Sequence, residues 1–491
     1  MKSFPELRLT DVNVAPINQD GDFVLYWMIA FRRTKWNYSL QRAVDWAKEL
    51  KKPLVILEAL RCNYRWASDR IHRFVMQGMA VNQEELQDKP CLYYPYIEPE
   101  QLAGKGLVEK LSEKACVVVT DDFPCFFLPT MVRLVGRRID VRMEKIDSNG
   151  LLPLRATDRV FTKAHSFRRH LQKELPLYLE EAPRHHPLSR IQLPTLKKLP
   201  KSITDRWPPA TKKLLSASSS VLSDLPIDHS VGPGAINGGS NEAEKTWKDF
   251  LNKLLKHYHD KRNEVEDRHS SGLSPYLHFG HISPHQIFYD LANQEDWNTR
   301  DLSEETKGSR EGWWGMSQGA EAFLDEIITW REIGYNCTSH TKDYDKYESL
   351  PDWAKQSLKK HEKDSRPYLY SFEEWEEAKT HDDIWNAAQT ELVRDGKLHN
   401  YLRMFWGKKV LHWSERPQEA LETLIELNNK YALDGRNPNS YSGIFWVFGR
   451  YDRAWGPERQ VFGKIRYMSS DSTRRKLKLT KYLEKYAPEK D

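Results

Sequence analysis

Cysteine is scarce in this chain, and it is badly spaced for metal or disulfide chemistry. Cys62, Cys91, Cys116, Cys125 and Cys337 are the only five in 491 residues. No two form a CxxC pair, so a thiolate zinc site and a disulfide framework are not expected, and free thiols fit an intracellular protein. Long apolar runs are missing too. No stretch reaches the roughly 20 residues that span a bilayer, and the N-terminal MKSFPELRLT lacks the apolar core of a signal peptide. A cytoplasmic protein with no membrane partner is the expectation, nucleoid-associated if the source is bacterial. A dinucleotide fingerprint is also absent. No GxGxxG follows the first strand pattern, which argues against an oxidoreductase using that fold for a dinucleotide. Charge of one sign is not in large excess: 75 Lys and Arg face 70 Asp and Glu, a net +5. Such a field permits an anionic partner without demanding one.

What the chain has in plenty is tryptophan, 17 residues, several in the C-terminal half. Indoles fill cores, but they also build stacking platforms and cofactor sites. The first part reads as α/β. DFVLYWMIA from Asp22, PLVILEAL from Pro53 and ACVVVTDDF from Ala115 are apolar runs of strand length. Between the first two, Leu40, Ala43, Val44, Ala47 and Leu50 recur at helical spacing. Buried strands alternating with amphipathic helices imply a parallel sheet covered on both faces. Asp121 and Asp122 follow the third strand, at the end of the sheet where such folds bind ligands. From about Leu196 the chain turns rich in Pro, Ser, Gly and Lys, and from about Asn241 helical periods dominate. The expected organisation is an α/β domain over 1–195, a long linker over 196–240 and an all-α domain over 241–491, with no internal repeat.

Several stretches carry chemistry. SSGLSPYLHFGHIS, from Ser270, offers hydroxyls and backbone N–H groups to an anion at a helix start. The plainer reading is a helix cap, with Ser274 as cap and Pro275 first in the helix. His278, His281 and His285 share a helical face but have no acidic or thiolate partner among them, so a metal site is not expected. In FLDEIITWREIGYN, Glu326 and Trp330 are one helical turn apart, with Arg331 on an adjacent face. An acid beside an indole can bind a heteroaromatic base, by stacking and by hydrogen bonding. Trp406 and Trp413 lie seven residues apart, about 10.5 Å along a helix, and Trp385 on the preceding segment is placed to pack between them. Such a row is either core packing or a path for electron hops. Arg403 and Asp434 are of opposite charge and can pair. The tail mixes basic and aromatic residues, Lys464, Arg466 and Tyr467 among them, which suits phosphates and bases but equally a solvated face.

Four stretches together carry a resemblance: LSPYLHFGHIS, WNAAQTELVRDGKLHNYLRMFWGKKVLHW, LNNKYALDGRNPNSYSGIFW and VFGKIRYM. They are similar to the FAD-binding domain of the photolyase/cryptochrome family, and most similar to class II cyclobutane pyrimidine dimer photolyases. YWMIAFRRTKWNYSLQRAV resembles the family's first strand and helix. The resemblance implies a Rossmann-like α/β antenna domain joined by a long connector to a helical FAD domain. It implies light-driven electron transfer from reduced FAD that splits cyclobutane dimers flipped out of ultraviolet-damaged DNA, by a monomer. Carried over by position, it places Tyr258, Ser270, Ser271, Gly272, Leu273, Ser274, Arg331, Asn400, Arg403, Asn428 and Asp434 on FAD. Arg403 and Asp434 form the salt bridge beside the flavin ring, and Asn428 lies near its N5. Glu326, Trp330, Trp446 and Met404 line the lesion pocket. Arg262, Lys464 and Arg466, with Trp330 and Trp446, face DNA. Trp406, Trp385 and Trp413 form the electron-transfer chain, in that order from the flavin.

The sequence departs from this pattern in three places. Tyr451 stands where histidine is usual, the segment from Asp296 to Phe323 is long and carries Trp313 and Trp314 with no assigned role, and ATDRVFTKAHSFRRHLQKEL from Ala156 differs. An antenna chromophore (a deazaflavin, a second flavin or a folate) and its absence both stay open. The alternative function is a cryptochrome-like blue-light photoreceptor, against which the chain stops soon after Tyr486.

Overall fold

The computed structural model describes residues 4–488. They form two compact units. The first comprises 4–158, 174–248 and 272–299, the second 159–173, 249–271 and 300–488.

The first unit is built on a six-stranded sheet: β1 Leu9–Asp11, β2 Phe23–Met28, β3 Leu54–Leu60, β4 Leu92–Ile97, β5 Ala115–Asp121 and β6 Met143–Ile146. The spatial order is β1-β6-β5-β2-β3-β4, parallel except where β1 runs antiparallel to β6. The three strands read from the sequence are β2, β3 and β5. β2 and β5 are buried along their whole length, as a sheet covered on both faces requires. Helix α1, Tyr38–Leu50, packs Leu40, Ala43, Val44 and Ala47 against β2, and Asn37 caps it by accepting from the Leu40 N–H. Asp121 is not a ligand-facing acid. Its Oδ2 accepts the backbone N–H groups of Ile29, Ala30 and Phe31, and its Oδ1 the Tyr26 hydroxyl, so it fixes the turn after β2.

The stretch expected to be a linker is different. Ala210, Leu215, Leu222 and Leu225 are buried against Ile71, Val75 and Met79 of helix α2, Asp69–Leu86, and Trp207 is buried with its indole N–H on the Ala103 carbonyl. Apolar residues too sparse to show a period still bury well against a helix face. The expected histidine face is packing as well. His281 stacks on Phe74 at 5.1 Å and accepts from the Gly239 N–H, and burial drops its pKa to about 3. His285 is buried edge-on to Tyr38. Among the described residues no three His, Cys, Asp or Glu side chains cluster as metal ligands.

The second unit is helical. A continuous run of helix spans 318–340, with a wide π-helical turn at Asp325–Trp330. Then follow α3 Asp383–Asp395, α4 Asn400–Trp413, α5 Pro417–Tyr431 and α6 Pro438–Val447. Gly396 closes α3 at φ +69°, a left-handed cap that suits glycine. Segment 159–173, one of the sequence departures, belongs to this unit and not to the α/β unit.

Candidate functional site

The π turn is the centre of the site. π turns are rare and recur at functional positions. This one holds Glu326 and Trp330, both half-buried, between two α-helical segments. Asp325, inside the turn, receives two hydrogen bonds from Arg168, at 2.7 and 3.0 Å, with both side chains buried. Arg168 lies on helix Ala164–Glu174, so one departure in the sequence supports the most chemically loaded turn of the chain. The same helix grips the other departure. Arg168 reaches the Gly308 carbonyl, and Gln172 bonds Gly308 N–H and the Ser309 carbonyl. Farther along that loop, Glu321 accepts the N–H groups of Gly312 and Gly315, and Trp313 and Trp314 are buried edge to face at 4.7 Å.

Glu326 accepts from Arg262 Nη1 at 2.9 Å. Burial raises its pKa above the ordinary glutamate value; Arg262 opposes that shift and Asp325 adds to it. Tyr258, one turn before Arg262, is buried edge-on to Phe250 and Phe323.

Arg331 follows the π turn. Its guanidinium lies 4.4 Å from the Tyr335 ring centre and donates to the Tyr335 hydroxyl, while its buried Nη1 has no hydrogen-bond partner. Arg403 on α4 pairs with Asp434 at 3.0 Å. Asn428, 1 % exposed on α5, donates to Ser440 Oγ at 2.7 Å and to Asn429 Oδ1 at 3.2 Å. Both amide protons are thereby used and the amide oxygen is turned away from them. Asn400 is exposed at the start of α4, where His399 supplies the cap. At Ser270–Ser274 the helix runs from Ser274 to His278, Leu273 occupies the cap position, and no side chain caps it. The expected Ser274 cap is therefore not formed. Gly272, at φ +69°, turns the loop. Ser270 and Ser271 belong to the helical unit, Gly272, Leu273 and Ser274 to the α/β unit.

Trp446, near the end of α6, is half-buried under two cations, Lys408 Nζ at 5.0 Å and Arg466 at 5.6 Å from the ring centre. Arg466 and Lys464 are exposed. Met404 lies beside Gly443, its Cε 3.8 Å from where a Cβ there would stand. Trp330 and Trp446 make no ring contact with each other.

The buried tryptophans form a separate set. Trp406 and Trp385 stack at 6.4 Å with planes 10° apart. Trp385 Nε1 donates to the Trp406 carbonyl and Trp406 Nε1 to Gln389 Oε1, both at 3.0 Å. Trp385 does not bridge Trp406 and Trp413 as expected. The ring in contact with both Trp385, at 4.7 Å, and Trp413, at 6.1 Å, is Trp375. Sequence spacing did not single out Trp375, because FEEWE reads as a short polar helix.

No family model matches the chain. Relatives do, over almost its whole length. A deoxyribodipyrimidine photo-lyase of Methanothermobacter thermautotrophicus is 30% identical over 479 residues, 97% of each chain. The chain belongs to the photolyase/cryptochrome family. The photo-lyase of Arabidopsis thaliana is 31% identical, covering 95% of this chain and 89% of its own. Cryptochrome-2 of Arabidopsis thaliana is 28% identical over only 46% of this chain. Among solved structures, a bacterial class III photolyase from Agrobacterium tumefaciens matches 95% of the chain with a TM-score of 0.61 and 18% identity, a likeness of fold. Within this family, the Arg168–Asp325 pair, Gln389 and Trp375 are the residues that sequence reasoning missed. A helix spacing cannot show a partner that lies 157 residues away.

Proposed function

We propose that this chain is a light-driven DNA-repair enzyme, a deoxyribodipyrimidine photo-lyase of the class II kind, acting on cyclobutane pyrimidine dimers in ultraviolet-damaged DNA. The observation that carries this reading is the acid–indole pair on the π turn, Glu326 and Trp330, braced by Arg168 through Asp325. A flipped-out dimer is apolar on its faces and polar at its edges, and indoles with one carboxyl match that surface.

Bound FAD supplies light absorption and one-electron exchange with the dimer. The residues fit such a group. The unpartnered Arg331 Nη1 is a buried donor that needs an acceptor. The guanidinium of Arg403, oriented by Asp434, favours an anion, and the Asn428 oxygen is an acceptor for a ring N–H. The Ser270–Ser274 loop offers backbone N–H groups and hydroxyls to phosphates, with Tyr258 and Asn400 as further contacts. Glu326, its pKa raised, holds a proton to higher pH than a free glutamate and donates it to a pyrimidine carbonyl. Trp330 and Trp446 stack on the lesion, Met404 closes its edge, and Arg262, Lys464 and Arg466 serve the DNA backbone. Trp406, Trp385 and Trp413, with Trp375 joining the last two, would serve as the hopping path by which an electron from an external reductant reaches such a group. In the α/β unit, Tyr64, Trp66, Phe126 and Phe127 form an aromatic cluster suited to a planar antenna chromophore. The protein acts as a cytoplasmic monomer. No helix among the described residues is long and apolar enough to cross a membrane.

The photoreceptor reading is weaker, since cryptochrome similarity stops at under half of the chain. The deciding experiment is blue-light treatment of an ultraviolet-irradiated oligonucleotide with reduced enzyme. Light-dependent loss of dimers is expected; unchanged dimer content would overturn the reading.

A further inference from the structure

Lys408 is a buried amine that none of the roles above uses. It belongs to the tandem lysines of WGKKVLHW on α4. Gly407 before it lets α4 approach α6: a Cβ there would stand 2.5 Å from Val447 Cγ2. The approach brings Lys408, 0 % exposed, to the end of α6, where its Nζ donates to the Val447 carbonyl at 2.6 Å. Carbonyls at a helix C-terminus lack partners and carry partial negative charge, so an ammonium is favoured there. The same Nζ sits 5.0 Å from the Trp446 ring centre, within cation–π range. Among the described residues no carboxylate lies within ion-pair distance of it. Asp452 and Arg466 are the charged groups whose fields reach it, the first favouring the ammonium and the second opposing it. Burial dominates both and brings the pKa down to about 7. A side chain serving packing alone would be better apolar, because an unpaired buried cation costs free energy. The neighbouring Lys409 has a different station, about 100° round the helix, over Phe405 and Trp413.

We propose that Lys408 is a positioning residue of the lesion pocket: its ammonium fixes the C-terminal end of α6 and the Trp446 indole, so that the ring is held ready to stack on a dimer. The proposal rests on the reading of Trp446 as a lesion-stacking residue. It also makes damaged-DNA binding depend on a proton at Lys408. Below about pH 7 the amine is charged and the indole is held; above it the contact with the ring weakens.

The test compares FAD-loaded wild type, Lys408→Met, Lys408→Arg and Trp446→Ala in binding an oligonucleotide with a single dimer, and its undamaged twin, from pH 6 to 9. Wild type is expected to bind the dimer about fivefold more weakly at pH 9 than at pH 6, the factor for losing a cation–π contact, with no such step for undamaged DNA. Lys408→Met is expected to show the weaker affinity at every pH and no step, and Lys408→Arg to keep the tighter affinity at pH 9. A wild-type profile as flat for the dimer as for undamaged DNA would overturn the proposal without any variant. So would Lys408→Met binding that matches wild type throughout. If Trp446→Ala weakens dimer binding and Lys408→Met does not, only the role of Lys408 falls; if Trp446→Ala binds as wild type does, the lesion-stacking reading falls first.

Discussion

Trp330 and Trp446 stand half-exposed among Glu326, Arg262, Lys408 and Arg466, whereas Trp385, Trp406, Trp375 and Trp413 are at most 2 % exposed and are packed against one another and against further rings such as Tyr370 and His381. Both sets occupy the same helical unit and use the same side chain. What separates them is the surroundings. An indole with one face in reach of solvent and charges at its edge can stack on an incoming base. An indole sealed in a core, with its N–H bonded as in Trp385 and Trp406, has nothing left to offer a ligand except its π-electrons. The half-exposed indoles are braced by ion pairs at the π turn and by cations over Trp446, the buried set by packing, and this predicts that the two can be damaged separately.

The largest separation is expected from Trp406→Phe. Photoreduction of oxidised flavin should be lost, while dimer repair by chemically pre-reduced enzyme continues; equal loss of both, measured by absorption and by dimer content, would erase the distinction. Next comes the buried pair beneath the π turn. Arg168→Met leaves Asp325 charged and unpaired and should destabilise the protein by about 3–5 kcal/mol in chemical denaturation. Its dimer affinity should fall more than its photoreduction rate, because the turn carries Glu326 and Trp330 and not the buried indoles. Trp446→Ala should weaken binding to a dimer-containing oligonucleotide by about 1–3 kcal/mol, the range for loss of a stacked base, with photoreduction unchanged.

The smallest effect is a pH dependence. The folded pKa of Glu326 is raised by burial, so its contribution to stability is full below the ordinary glutamate pKa and is lost as pH rises through the folded value. Glu326→Gln should therefore gain on wild type in denaturation midpoint as pH rises above about 4.5, offset by under about 1 kcal/mol for the partly exposed Arg262 pair. A stability difference that does not vary with pH would mean that the carboxyl titrates normally.

Much of this was legible in the chain. The apolar runs at Phe23, Leu54 and Ala115 named three central strands, and short edge strands such as Leu9–Asp11 carry too few residues to show a period. Arg403 and Asp434 were able to pair by charge and were expected to by the family resemblance, and the structure joins them at 3.0 Å. Other readings failed for physical reasons. Segment 196–240 looked like a surface linker because its apolar residues are scattered, yet six of them are buried in one cluster with α2. Asp121 looked available to a ligand because the backbone N–H groups that claim it come from a turn more than 90 residues earlier. Trp385 was placed between Trp406 and Trp413 by helix spacing, which says nothing of a fourth ring arriving from another segment.

The sequence by itself determined the kind of sheet, the helical character of the second half and the residue types that a flavin and a dimer would need. The first two follow from local periodicity, the third from the resemblance to the photolyase/cryptochrome family. Only the tertiary structure decided which carboxylates are already engaged, that Arg168 braces the π turn, that Trp375 links the buried indoles, and that Lys408 lies under Trp446. Each of those is a contact between segments distant in the chain or on different helices. Such contacts are set by burial and close packing, which have no local spelling.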